Sequence, residues 1–500
     1  MRTLLFAAVV ALAATSATGA AAAAAPANAA AAPAQAAPAS SAAAPPAFTR
    51  PLGLHDCVDL AIRNNLPLKI ARAELSRAHG AYVSSLVKFT PVLSGGASQQ
   101  HVDNRLTARD TSGVLPEVKT ASELHTMTGG ISQQIPGGLK LDVTQELGPD
   151  DALPNKTRNR QFQATVTQPL LRGAGLTASM ADVRGTTYDQ RAREADLRDL
   201  ERQTVFNVKV AYYNAVRDVE LLRVNQATLD ADSLLVEASN AMVEAKVASR
   251  RDVLSARIRL SDDLSTVVVS ERDAQTSLDA LKDVMGIALE TPIAIADTAL
   301  DAHFVDLDEP SLVKRVVETH PSVRSAEYAV SRSRLDLTVA QNSRLPQVDL
   351  KGSYFQDFGE KLNTGDIARG TGWVASVNLF YPLFDRSAEG DAILRRAELD
   401  QAKDRLELLE RQLTLRVREI VRTVRSSAEE VKAIQQTIAA ADDKLQFATA
   451  MFNLGRASNL DITDARSDLV KARTQLVKKL VDYNAQLALL ESLTGEPVVR

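Results

Sequence analysis

From Leu383 to Glu496 the chain contains no proline, and through most of that span apolar residues return every seven positions. Leu406, Leu413, Ile420, Ser427, Ile434 and Ala441 form one seam; Val417, Val424, Val431, Ile438 and Leu445 form its neighbour. Period-seven spacing kept up this long, with charges between, is the pattern of helices packed side by side along their length. The pattern breaks at Phe452-Asn-Leu-Gly455-Arg-Ala-Ser-Asn-Leu-Asp461 and resumes in a second helix that stops at Thr494-Gly495, where glycine suits a C-cap. A helix over 387–454 is about 100 Å long. A rod of that length spans something; it does not close a compact core.

The same element occurs earlier in the chain. Val417, Val424, Val431, Ile438 and Leu445 each lie 209 positions after Val208, Ala215, Leu222, Leu229 and Val236. At the same offset Gly455-Arg-Ala-Ser-Asn-Leu-Asp461 falls on Lys246-Val-Ala-Ser-Arg-Arg-Asp252, Ala465-Arg466 on Ala256-Arg257, and Gly495 on Gly286. Tyr381-Pro-Leu-Phe384 echoes Gln168-Pro-Leu-Leu171, and His320-Pro321 echoes Leu66-Pro67. The chain is a tandem duplication, with a first repeat over 51–286, a linker over 287–308 and a second repeat over 309–495. The linker, with Pro292, Ile293, Ile295 and Phe304, reads as an extended segment at the flank of the rods.

Composition narrows the class. Aromatic residues make up only 4% of the chain, low for large globular cores, and alanine, leucine and charged residues dominate. A net charge of −4 leaves no basic footprint for nucleic acid. Residues 1–20 read as a secretory leader: a short basic start, an apolar run, then small residues. Residues 21–50, mostly alanine and proline, read as a disordered tether that cannot bury a core. Cys57 is the sole cysteine, so no disulfide forms within one chain, and its helical setting makes it a small core residue.

Between the helices the period changes from seven to two. Leu139-Lys-Leu-Asp-Val-Thr and Phe162-Gln-Ala-Thr-Val-Thr-Gln168 alternate apolar and polar residues, a strand signal. Up to four strands fit within 92–169 (about 92–101, 124–135, 139–147 and 160–168), with Pro136-Gly137-Gly138 as the tight turn between the middle two. Two fit within 347–382, about 347–358 and 371–381. Val348, Leu350, Tyr354, Trp373, Val377 and Leu379 fall on apolar faces, with Asp349, Lys351, Ser353, Ser376 and Asn378 opposite. A soluble sandwich would show this alternation too, but strands hung on long rods and bounded by aromatics fit the apolar-out, polar-in pattern of a membrane barrel better. Two to six strands cannot close one, so the barrel must be shared between subunits.

Signal peptide, duplicated helix–strand–strand–helix–helix unit, and a break Phe452-x-x-Gly455 followed by Leu460-Asp461-x-x-Asp464-Ala465 together resemble the TolC-like outer-membrane efflux proteins. The resemblance covers about 51–495. It implies a mostly α fold in which long antiparallel helices form a tunnel across the periplasm and strands join a shared β-barrel in the outer membrane. It also implies a homotrimer, a periplasmic adaptor and an inner-membrane transporter as partners, and a role as the passive exit duct of a tripartite efflux pump or type I secretion system. The family's usual four strands per chain leave the longer stretch between Pro91 and Pro169 as either an added hairpin or an enlarged loop.

The resemblance also places the site residues. Asp461 and Asp464 match the aspartates that ring the tunnel entrance; one helical turn apart, they share a face, and in a trimer they would stack two acidic rings that favour cations. The bland alternative for Asp461 is that it decorates a helix N-terminus, where acidic residues are favoured. Asp252 matches a position that latches the closed entrance. Its partners here would be Arg456, Arg250 or Arg251, since Ala457 stands where the family has arginine, and Phe452 cannot donate the hydrogen bond of an aromatic hydroxyl. The tips, near 246–252 and 455–461, with Ala248, Ser249, Gly455, Ala457 and Ser458, are the expected docking sites for the adaptor. No enzyme, metal or cofactor chemistry is indicated: His55, His79, His101, His125, His303 and His320 lack ligand spacing. The competing class is a periplasmic or extracellular coiled-coil structural protein with a soluble β cap.

Overall fold

The computed structural model describes residues 50–107, 117–151, 157–244, 249–296, 304–361, 367–384, 386–454 and 456–496. The expected leader, nearly all of the tether, Ala248 and Gly455 lie outside the described residues.

Helices α1 (Leu54–Asn64) and α2 (Leu66–Leu86) meet at Asn65. Pro67 falls in the first turn of α2, where its missing N–H costs nothing, and the Asn65 side chain accepts from the Leu68 N–H at 3.3 Å. A short α3 (Gly175–Ser179) precedes α4 (Ala181–Glu244), which pairs with α5 (Arg250–Met285). The second repeat follows the same plan: α6 (Glu309–Thr319), α7 (Pro321–Ser343), then α8 (Ser387–Asn453) paired with α9 (Asn459–Thr494). Helix α4 also packs on α2, α7 and α9, and α7 on α8, so the repeats interlock side by side. Among the described residues no helix is long and apolar enough to cross a membrane.

The heptad seams bury what they should. Leu413, Val417, Ile420, Val424, Val431 and Ala441 are buried along α8. The duplication shows as two small cores at equivalent heights. One gathers Val208, Tyr212, Ala215 and Leu281 around Cys57 and Ala61; the other gathers Val417, Val421, Val424 and Leu490 around Val316 and Tyr483. Burial first, and Asp56 second, pushes the Cys57 thiol up to about 12, so it stays protonated and inert. Each repeat closes on a left-handed glycine, Gly286 at φ 68° and Gly495 at φ 77°. Leu52 and Ile295 form a parallel bridge beside the first core, with Leu52 N–H donating to Ala294 O at 2.8 Å.

All six strands belong to one antiparallel sheet in sequential order: β1 (Val92–Thr107), β2 (Glu117–Gln134), β3 (Lys140–Asp151), β4 (Thr157–Pro169), β5 (Gln347–Lys361) and β6 (Ile367–Phe380). The stretch between Pro91 and Pro169 is therefore an added hairpin, not an enlarged loop. Strands β1 to β4 also run further than the alternation indicated, into stretches expected as polar loops over 102–123 and 148–158. Ladder hydrogen bonds join backbones, so pairing continues where side-chain alternation has lapsed.

Candidate functional site

Two regions carry the functional argument: the tips where α4 turns into α5 and α8 into α9, and the face of the sheet.

At the second tip the chain turns into α9 through Ser458. Both its N–H and its hydroxyl donate to Asp461 Oδ2, at 2.8 and 2.9 Å. These bonds hold the Asp461 carboxyl below the usual range, and its charge also suits the positive end of the helix. The N-terminal reading of Asp461 is thus realised, and the side chain remains exposed. Asp464, one turn on, is 3.3 Å from Lys444 of α8, which also pairs with Asp468 at 2.6 Å. Asp468 first, then Asp464, raises the ammonium pKa, and Lys444 in turn lowers that of Asp468. Lys444 and Asp468 were missed in the sequence because their pairing spans two helices.

Of the expected latch residues, the structure describes the side chains of Arg250, Arg251, Arg456 and Phe452. The Asp252 side chain lies outside the described residues. Arg250, Arg251 and Arg456 make no ion pair among the described residues. Phe452 turns inward, packing with Leu445 against Ala448, Ile462 and Ala465. Arg251, Ile258, Ser458, Leu460 and Thr463 line a groove between α5 and α9, and the exposed Ile258 and Leu460 make that groove partly apolar. Ala457 is half-buried, and Ser249 and Ser458 are exposed.

A charged cluster about two to three turns from the tips does join the two coils. Asp232 of α4, only 3% exposed, lies 2.5 Å from Arg466 of α9 and 3.4 Å from Arg259 of α5. Asp263 of α5 faces the same cluster, and its Oδ2, like that of Asp232, is buried with no hydrogen-bond partner among the described residues; burial first, then Asp232, pushes Asp263 up to about 6. The sequence held a signal for this. At the repeat offset Asp232 falls on Ala441, a seam position where a charge is out of place.

Across the sheet, register aligns one row of outward residues: Leu93, Ile131, Val143, Ala164, Tyr354 and Trp373, each paired with the next. A parallel row reads Met127, Leu147, Arg160, Phe358 and Arg369, with the Arg369 guanidinium 5.7 Å from the Phe358 ring centre. The opposite face carries Ser132, Asp142, Thr165 and Ser353 in one row. Leu93 is 82% exposed and Trp373 78%, so the apolar face has no partner among the described residues. At the helix end of the sheet Leu170, Leu171, Tyr381, Leu383 and Phe384 are also exposed.

Residues 312–496 match the family described as "Outer membrane efflux protein". The chain is 23% identical to outer membrane protein TolC of Vibrio cholerae over 320 residues, covering 62% of this chain and 72% of that protein. It is 20% identical to TolC of Escherichia coli K12 over 378 residues, covering 72% and 74%. The fold matches the crystal structure of the Campylobacter jejuni CmeC outer membrane channel with a TM-score of 0.66 at 15% identity, covering 88% of this chain and 85% of that one.

Proposed function

Since the chain belongs to the TolC-like outer-membrane efflux proteins, we propose that it is the exit duct of a tripartite efflux pump or type I secretion system. In this reading it is a passive homotrimeric channel working with a periplasmic adaptor and an inner-membrane transporter. It is an outer-membrane protein whose helical tunnel extends into the periplasm. Nothing in the reading calls for catalysis or a cofactor.

The observation that carries the proposal is the continuous apolar row across the six described strands, while among the described residues no helix is long and apolar enough to cross a membrane. Val348 to Phe358 rises about 33 Å along a strand; at the usual barrel tilt that is about 25 Å of height, the thickness of an apolar barrel band. The aromatics Tyr354, Phe358, Trp373 and Tyr381 fall along this band, with Tyr381 and Phe384 at its helix end.

Asp461 and Asp464 ring the periplasmic entrance in this reading. Both are exposed and lie on the first turns of α9. Asp252, Arg250, Arg251, Arg456 and Phe452 surround that entrance, and the tip groove together with Ala248, Ser249, Gly455, Ala457 and Ser458 receives the adaptor. The domain limits follow: leader 1–20, tether 21–50, repeats 51–286 and 309–495, linker 287–308.

Single-channel recording in a planar bilayer tests this. The wild type gives small, cation-selective steps. The double variant Asp461→Asn/Asp464→Asn keeps its fold, because Ser458 remains the N-cap, an asparagine Oδ1 at N3 still accepts from the Ser458 N–H, and Lys444 retains Asp468. It loses cation preference and block by multivalent cations. Unchanged selectivity would remove the acidic rings and keep the duct. Absence of any steps, from protein that washes off membranes, would favour the structural coiled-coil reading.

A further inference from the structure

We propose that the added hairpin β2–β3 is a full part of the barrel wall, so that three copies close an eighteen-stranded barrel whose bore does not restrict cargo at the outer membrane. The inference rests on the homotrimeric duct reading and deepens it by placing selection by size at the helix tips alone.

Four observations carry it. First, β1 to β6 lie in one sheet in sequential order, and β2 and β3 are paired on both sides. Second, their alternation is in phase with the rest: Ile131 and Val143 occupy the row that runs from Leu93 to Trp373, while Ser132 and Asp142 fall on the polar face and hydrogen-bond to each other at 2.7 Å. A hairpin folded over the mouth or into the lumen would have no reason to keep its apolar residues in the same row as Tyr354 and Trp373.

Third, the turn between β2 and β3 is built into the helix end of the sheet. Gly137 N–H donates to Ser179 Oγ of α3 at 2.8 Å, and its carbonyl accepts from the Gln168 side chain at 3.4 Å. Gly138 has φ 97°, and a Cβ there would sit 2.8 Å from the Pro169 ring and 3.0 Å from Gly173 O. That close seat fixes the turn against the base of β4.

Fourth, the parity is right. Six is even, so β6 of one copy meets β1 of the next antiparallel, as a closed barrel of this kind needs. Among the described residues β1 and β6 are the edges of the sheet; lipid offers their open N–H and C=O groups no hydrogen-bond partner, which leaves further copies of the same sheet as the occupant of both edges.

Strands about 4.8 Å apart and tilted by about 40° give eighteen strands a backbone diameter of about 36 Å, against about 24 Å for twelve. Barrels of 16–18 strands leave an aqueous channel rather than a core filled by side chains. The polar rows supply the wetted lining: Ser94, Thr144 and Gln163 in one, Ser132, Thr165 and Ser353 in the other.

Spin labelling at Trp373→Cys in reconstituted full-length protein tests the proposal. Cys57 is fully buried and does not react. Three equivalent backbone sites on an eighteen-stranded wall are about 31 Å apart; on a twelve-stranded wall they are about 21 Å apart. The labels lengthen both values alike. A single distance in the longer class, with three spins per particle, is expected. Deleting residues 117–151 removes one descending and one ascending strand, leaves β1 antiparallel to β4, and should bring the distance down by about 10 Å. If the deletion does not fold, the wild-type distance still decides. The shorter class, or two spins per particle, would overturn the eighteen-stranded barrel and leave the exit-duct reading standing. Label that washes off with the protein in salt would overturn both.

Discussion

At the scale of single residues, burial separates two kinds of aspartate. Asp461 and Asp464 are exposed; Asp232 is buried and tied to Arg466 and Arg259. The cluster around Asp232 has a pH signature of its own. Asp263 is raised from 3.8 to about 6 by burial first and then by Asp232, while Arg259 pulls the other way and Asp262 adds repulsion. A raised carboxyl stabilises the fold fully below its ordinary pKa and loses that contribution as pH climbs through the folded value. Thermal melting should therefore show a gain for wild type between pH 7 and pH 5 that Asp263→Asn lacks, since the amide has nearly the same shape and does not titrate. Equal pH slopes in the two proteins would mean that Asp263 is not raised in the folded state. Asp461, held low by Ser458, works in the opposite sense: its helix-capping contribution is present above its ordinary pKa and is lost only as pH falls through a value below it.

At the scale of elements, the duplication is legible in the sequence because its heptads survive, yet the two copies are not interchangeable. Gly286 and Gly495 sit at the same repeat position and share a left-handed φ. A Cβ at Gly286 would lie 2.8 Å from the backbone oxygen of Asn64, at the joint where the Asn65 side chain donates to Val284 O at 3.0 Å. At Gly495 the nearest atoms belong to the Arg202 guanidinium, which can swing away. Gly495→Ala should cost about 1–2 kcal/mol from backbone conformation alone, and Gly286→Ala clearly more, as read from thermal unfolding followed by circular dichroism. Equal losses would mean that the α1–α2 joint yields as easily as a side chain. The strands were legible as alternation, and their ends were not, because β1 and β2 stay paired through residues with no apolar period.

At the scale of the whole molecule, the exposed apolar face of the sheet needs a non-aqueous partner. Contiguous exposed apolar area beyond a few hundred Å² marks an interaction surface, and here it runs across six strands. The protein should stay with outer membranes through high-salt and carbonate washes and leave only in detergent, followed by immunoblotting of density-gradient fractions. Release by salt alone would point to a surface held by charge and to the soluble-cap reading.

The sequence by itself determined the rods, their duplication, the placement of the tips and the alternating faces of the strands. Those features follow from local periodicity, which a chain carries whatever its surroundings. Only the tertiary structure decided that the long stretch before Pro169 is a paired hairpin, that Lys444 bridges Asp464 and Asp468, and that Asp232 meets Arg466 across the two coils. Each of these depends on which residues from distant parts of the chain come within a few ångströms, and neither spacing nor composition encodes that distance. The count of strands, and with it the proposed width of the exit, rests on that second kind of information.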